Sequence, residues 1–284
     1  MSREKNVEIF NDTERLCREN QILRRAVEQS SRGQYVLLET DELKAEEGHR
    51  FTEAAEIIVS GKRSLEAAGA YRDMKVCVHN FASATNPGGG VTKGSNAQEE
   101  AICRCSTLYF NINEDKVRNT FHSRHKSLLK AGNLNAAYND DCIYTPRVIV
   151  FKTDTAEPRL MPEKDWYHVD VITCAAPNLR ENPSNMMNPN SGRQQLRLKD
   201  SELKKLHIKR MGRILELAKK EREDVVILGA FGCGAFMNPP RVVAEAMAAV
   251  LEQYKYDFMT IEFAVYCAPG RSENYDAFRR VLGR

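Results

Sequence analysis

No stretch of this 284-residue sequence is apolar for long enough to cross a bilayer. The longest apolar-rich runs, 225–228 and 242–251, fall far short of the roughly 18 residues needed, so no membrane partner is expected. Charge of one sign is also missing. Forty-two Lys and Arg against 39 Asp and Glu leave a net charge of +3, which is no signature of polyanion binding. A modest cationic surface can still steer a phosphate-rich ligand. The densest basic stretch, 199–220, interleaves acidic residues at helical spacing and reads as a solvated helix face. Paired CxxC motifs are absent. The eight cysteines (17, 77, 103, 105, 142, 174, 233 and 267) follow a polar, mixed-charge first eleven residues, unlike a secretory leader. Free thiols in a reducing, cytoplasmic compartment are therefore expected. Cys103 and Cys105 have no second pair or histidine partner to make a zinc site. His122 and His125 lack an acidic or cysteine partner, and the other four histidines are isolated. No metal and no cofactor is expected. Tryptophan occurs once, at Trp166, just before an expected strand, where it reads as core rather than as a platform for a base.

The 42% of hydrophobic residues is enough for a buried core, and its periodicity alternates. The first 30 residues are helical in pattern. Asn11, Asp12 or Thr13 is placed to cap a segment in which Leu16, Ile22, Leu23, Ala26 and Val27 recur at helical spacing, and Gly33 closes it. Strands are expected at 35–38, 74–79, 147–151, 168–175, 224–228 and 259–266. Helices are expected at 61–68, 98–108, 200–220, 239–254 and 274–282. Strands alternating with helices imply an α/β fold with a sheet sandwiched between helical layers. Residues 182–199, with four Asn, two Pro and one Gly, read as a long loop or flap.

In such folds ligands sit at the carboxyl ends of strands, where glycine loops lead into helices. Two places qualify. Asn86-Pro87-Gly88-Gly89-Gly90 follows the strand ending near Asn80, and Gly229-Ala230-Phe231-Gly232-Cys233-Gly234-Ala235-Phe236 follows the apolar strand at 225–228. The second leads to Pro239-Pro240, a fitting helix start. Strand, glycine loop and helix N-terminus together can hold an anion. A single cluster reads as a tight turn; two in the same context point to a diphosphate cradle. The established nucleotide fingerprints do not fit. GxGxxG would need glycine at Lys93 or Met237, and a P-loop ending at Gly61-Lys62 would need glycine at Glu56.

Seven residues after Gly90 stands Gln98-Glu99-Glu100, opening a helix. Neighbouring helical residues point about 100° apart, so the two carboxylates take different jobs. Carboxylates in a first turn are also ordinary partners of the helix dipole. Beside a bound diphosphate, however, a partly desolvated glutamate is pushed towards the range of a general acid, and glycoside cleavage needs such an acid.

Asn80 to Gly90, followed at this spacing by Gln98-Glu99-Glu100, resembles the GGG…QEE signature of bacterial-type poly(ADP-ribose) glycohydrolases, members of the macrodomain superfamily. The likeness continues through residues 103–109, Tyr144-Thr145-Pro146, residues 169–178 and residues 229–240, and so runs from about Asn80 to Asn274. The N-terminal helix is similar to that family's extension.

The resemblance implies a macrodomain-like three-layer α/β/α sandwich with a mixed sheet. Residues 1–50 would be a helical extension packed on a catalytic domain of 51–284. It implies hydrolysis of ribose–ribose O-glycosidic bonds in poly(ADP-ribose), with Glu100 as acid/base and Glu99 binding ribose hydroxyls. Gly88, Gly89, Gly90, Gly232, Cys233, Gly234, Ala235 and Phe236 would hold the diphosphate and distal ribose. Asn86 would bond a ribose or stabilise its turn, and Gln98 would fix the loop. Two other readings stand beside it. One is a non-catalytic ADP-ribose-binding module. The other is a hydrolase of another conjugate, with ADP-ribosylated protein or nucleic acid as partner.

Overall fold

In the computed structural model, which describes residues 1–283, the chain opens on two helices rather than one. α1 (Arg3–Glu19) is capped by Ser2, whose Oγ accepts from the Lys5 N–H, and α2 (Gln21–Gly33) by Asn20, whose Oδ1 accepts from Ile22 and Leu23. The caps expected at Asn11, Asp12 or Thr13 lie inside α1. The reason is chemical: α1 buries the polar side chains Asn6 and Thr13, so its apolar repeat is thin and its true start is masked.

The chain continues through β1 (Tyr35–Leu37), β2 (Glu56–Ser60), α3 (Ser64–Ala68), β3 (Val76–Phe81), α4 (Gln98–Cys105), α5 (Leu108–Ile112) and α6 (Asp115–Val117). A π-helical stretch, Arg118–Ser123, joins α6 to α7 (Arg124–Ala131). β4 (Cys142–Val150), β5 (Tyr167–Cys174), α8 (Asp200–Lys220), β6 (Val225–Leu228), α9 (Pro240–Tyr254), β7 (Thr260–Ala264) and α10 (Glu273–Leu282) complete it.

The seven strands form one mixed sheet in the order β1-β4-β5-β3-β6-β7-β2. β1 and β4 run antiparallel to their neighbours, and β3, β5, β6, β7 and β2 are parallel. Two strands differ from expectation. β2 pairs with β7 at the sheet edge, where it stays partly exposed. β4 begins five residues before the expected 147, because its ladder shifts register between Thr145 and Val148 around Pro146 and the left-handed Arg147. A proline inside a strand hides the pattern that continues on either side.

The parallel strands are buried on both faces, which is why they read as unbroken apolar runs. Cys77, Val226 and Leu228 pack with Met211 and Leu215 of α8 and with Val243 and Met247 of α9. Val76, Val78, Val225 and Ile227 face the other way and pack with Leu65, Ile102 and Leu108 of α3 to α5. Three layers result, and they send the loops after β2, β3, β5, β6 and β7 to one edge of the sheet. At the far side, β1 extends the sheet from within residues 1–50. Ser30 of α2 donates to the Arg147 carbonyl.

Candidate active site

The loops at that edge enclose a cleft of about 990 Å³. Of the residues singled out in the sequence, it brings together Gly89, Gly90, Gln98, Glu99, Glu100, Gly232, Gly234, Ala235 and Phe236. Asn86, Gly88 and Cys233 do not line it. Asn86 Nδ2 instead donates to Asn188 Oδ1 (2.6 Å) and to the Pro189 carbonyl (3.1 Å), fastening the 182–199 flap to the first glycine loop. Gly88 has φ +65°, and a Cβ there would strike Tyr109 at 2.7 Å, so its glycine serves the turn. Cys233 packs against the core, and burial pushes its thiol up.

The carboxylates are placed by backbone N–H groups. Glu100 Oε1 accepts from Gly90 N–H (2.9 Å) and Oε2 from Ala97 N–H (2.8 Å). Glu99 Oε2 accepts from Ser83 N–H (2.8 Å), and Asn80 Nδ2 stands 3.5 Å from its Oε1. Both lie directly under the glycine loop. A Cβ at Gly89 would meet Glu100 Oε1 at 2.5 Å and Glu99 Oε2 at 3.0 Å. Gln98 ties this floor to the sheet, accepting from Phe81 N–H (2.9 Å) and donating to the His79 carbonyl (2.8 Å) and Ser64 Oγ (3.0 Å).

Glu99 is buried, and that burial first, then the neighbouring Glu100, raises its carboxyl well above the usual 4.5. The linkage has a definite sign: a folded-state acid with a raised pKa binds more protons than the unfolded chain, so stability falls as pH rises above about 4.5. Glu99→Gln, a neutral isostere, removes that penalty. The gap between its melting temperature and that of the wild type should therefore widen in favour of the variant from pH 4.5 upward. A gap independent of pH would show Glu99 to be ionised in the fold.

The second loop is held from behind. Gly232 has φ +76°, and a Cβ there would meet Asn238 Nδ2 at 2.6 Å and Ala176 Cβ at 2.7 Å. Asn238 Nδ2 donates to the Pro177 and Gly232 carbonyls, while His207 Nε2 lies 2.9 Å from its Oδ1. The helix expected to follow this loop does start at Pro239-Pro240, but away from the cleft. α9 begins at Pro240, and neither Pro239 nor Pro240 lines the cleft. The helix whose first turn does open into it is α4.

Sequence reasoning missed several lining residues. Tyr266, 43% exposed after β7, carries the Arg63 guanidinium 3.9 Å from its ring centroid. This pair, not Trp166, offers an aromatic surface to the cleft; Trp166 packs with Phe151 and donates to the Met161 carbonyl. Met186, Met187 and Asn188 of the flap also line the cleft, as do Arg3 and Asn6 of α1. The only sequence signal for Tyr266 was an aromatic at the end of the strand expected at 259–266.

Residues 2–153 match the family described as "Microbial-type PARG, catalytic domain". Among solved structures, the chain is similar to the poly(ADP-ribose) glycohydrolase of Thermomonospora curvata, at 26% identity and a TM-score of 0.78, over 98% of this chain and 99% of that one. The same enzyme bound to the inhibitor ADP-HPD gives a TM-score of 0.77 at 26% identity, with the same coverage. The Deinococcus radiodurans glycohydrolase in complex with ADP-ribose is also similar, at 26% identity and 0.71, over 90% of this chain and 96% of that one. No curated protein matches. With more than half the chain matched by the family and 98% of it by the fold, the protein belongs to the microbial-type poly(ADP-ribose) glycohydrolases.

Proposed function

We infer that the protein hydrolyses the ribose–ribose O-glycosidic bonds of poly(ADP-ribose), releasing ADP-ribose, with Glu100 as general acid and base. One observation carries the assignment of the site: both carboxylates of the QEE motif stand in contact range beneath Gly89, at the floor of a cleft walled by both glycine loops. The similar Deinococcus radiodurans structure is a complex with ADP-ribose, the ligand this cleft would take. Gly89, Gly90 and the Gly232–Phe236 loop would hold the diphosphate and distal ribose, with Phe236 against the sugar. Arg63 and Tyr266 would take the base. Glu99, held towards its neutral form, would bond ribose hydroxyls. Asn86, Gly88, Gln98 and Cys233 would shape the loops rather than touch substrate.

In the reaction Glu100 gives its proton to the leaving 2′-oxygen as the bond to C1″ breaks. Positive charge develops on the ribose and is met by the adjoining diphosphate. Glu100, now a carboxylate, takes the proton from the water that attacks C1″. A module that only bound ADP-ribose would have no use for a second carboxylate at position 100. The reading also takes 51–284 as the catalytic domain with 1–50 packed on it. It places the enzyme in the cytoplasm, supported by the eight unpaired cysteines among the described residues.

The test is incubation with poly(ADP-ribose), mono-ADP-ribosylated protein and ADP-ribosylated DNA, each followed by analysis for free ADP-ribose. Release from the polymer is expected; release only from one of the others would replace the substrate. Calorimetry should show ADP-ribose binding much more tightly than AMP, which lacks the second phosphate and distal ribose. Equal affinities would sink the two-loop cradle.

A further inference from the structure

Arg104, one helical turn beyond Glu100 on α4, is 1% exposed. A buried guanidinium costs several kcal/mol in lost hydration unless its partners replace water. Here the bonded partners are neutral oxygens: Nη1 donates to the Ser95 carbonyl (2.6 Å), Nη2 donates to Asn96 Oδ1 (2.5 Å), and Nε has no partner. Both acceptors belong to the turn 90–97. That turn also carries, at its two ends, the Gly90 and Ala97 N–H groups that hold the two oxygens of Glu100. Its interior is closed on itself, with the Gly90 carbonyl accepting from Lys93 and Ser95 N–H. Wherever the turn sits, the carboxylate follows.

The N-terminal helix grips the same unit from outside. Asn6 Nδ2 donates to the Gly94 carbonyl (3.0 Å), and Thr13 Oγ1, two turns along the same face of α1, donates to the Arg104 carbonyl (2.6 Å). Lys152 Nζ in turn donates to Thr13 Oγ1 (2.8 Å). Gly94 itself has φ +79°, and a Cβ there would lie 2.3 Å from the Arg3 carbonyl oxygen, so α1 lies against the turn with no room for a side chain between them.

We propose that Arg104 is a positioning residue for Glu100, fixing through the Ser95–Asn96 turn the two backbone N–H groups that aim the carboxylate, with α1 as the outer brace. The proposal rests on Glu100 being the acid/base. A buried charge is retained because a forked donor can hold a carbonyl and a side-chain oxygen of one turn in a single geometry, which an apolar side chain cannot.

The experiment measures kcat and KM on poly(ADP-ribose) together with the ADP-ribose dissociation constant and the melting temperature. Arg104→Met should lower kcat by about 10- to 100-fold, the scale of a small misplacement of a catalytic group, while the ADP-ribose dissociation constant stays within about twofold of the wild type. Arg104→Lys, keeping the charge and one donor direction, should recover part of the loss. Should Arg104→Met fail to fold, Asn96→Ala on the exposed turn and Asn6→Ala on α1 decide the matter. Each should lower kcat with affinity retained. Wild-type kcat in folded variants overturns the proposal, as does a loss that appears equally in ADP-ribose affinity. Glu100→Gln run in parallel separates the two claims. If it stays active, the acid/base assignment has failed; if it is inactive while the Arg104 and Asn96 variants turn over normally, only the positioning role has.

Discussion

Glu100→Gln is expected to lower poly(ADP-ribose) turnover by at least about 10²–10⁴-fold, the usual contribution of a positioned acid–base group, with ADP-ribose affinity close to that of the wild type. Two effects add. The amide has no proton to give at the leaving oxygen. It also has a single oxygen where the carboxylate uses both, one against Gly90 N–H and one against Ala97 N–H. The –NH₂ must therefore face one of those donors, leaving a buried N–H unpaired at a cost of about 1–3 kcal/mol. Glu99→Gln should be milder, because Glu99 is already held towards its neutral form by burial and the amide resembles the protonated acid. Single-turnover assays on both variants, with calorimetry of ADP-ribose, check the order. Glu100→Gln turning over as fast as wild type would remove the assignment; Glu99→Gln proving the more damaging would exchange the two roles.

Gly89→Val should abolish both binding and turnover. On sequence grounds the loop reads as a surface feature where a side chain only blocks the ligand. The structure adds a second mechanism. Gly89 has φ +59°, and any Cβ falls 2.5 Å from Glu100 Oε1 and 3.0 Å from Glu99 Oε2, so the substitution must push the catalytic floor apart. The left-handed conformation alone costs a residue with a Cβ roughly 1–2 kcal/mol, a loss most domains survive. The expected result is a folded protein, by circular dichroism and a slightly lowered melting temperature, with no ADP-ribose binding. Gly89→Ala should fall between, since its single methyl still strikes the carboxylates. Retained turnover in Gly89→Ala would show that the loop and the pair do not share one site.

Where sequence reasoning succeeded, the signal was local. β6 announced itself as four consecutive apolar residues because a central parallel strand is buried on both faces. α8 and α9 showed helical spacing because one face of each packs on the sheet while the other meets water. The 182–199 flap followed from its Asn, Pro and Gly content. The elements that escaped were those whose pattern is set by something remote. α1 turns Asn6 and Thr13 inward because Gly94 and Arg104 supply partners 88 and 91 residues away. β4 passes through Pro146 because β5 pairs on both sides of its register shift.

The same division runs through the candidate site. The family, the α/β class, the two glycine loops and the adjacent glutamates were legible before any fold was known. All of these are written in contiguous residues whose backbone freedom or helical phase can be read one segment at a time. Which of these residues meet is a matter of the packed fold. It brought Tyr266 and Arg63 to the cleft, withdrew Asn86, Gly88 and Cys233 from it, and moved the helix N-terminus at the site from α9 to α4. It also buried both carboxylates, raising the Glu99 carboxyl and tying Glu100 to two backbone N–H groups. Burial, desolvation and the direction of a hydrogen bond depend on what the rest of the chain packs against, and no local spacing encodes that.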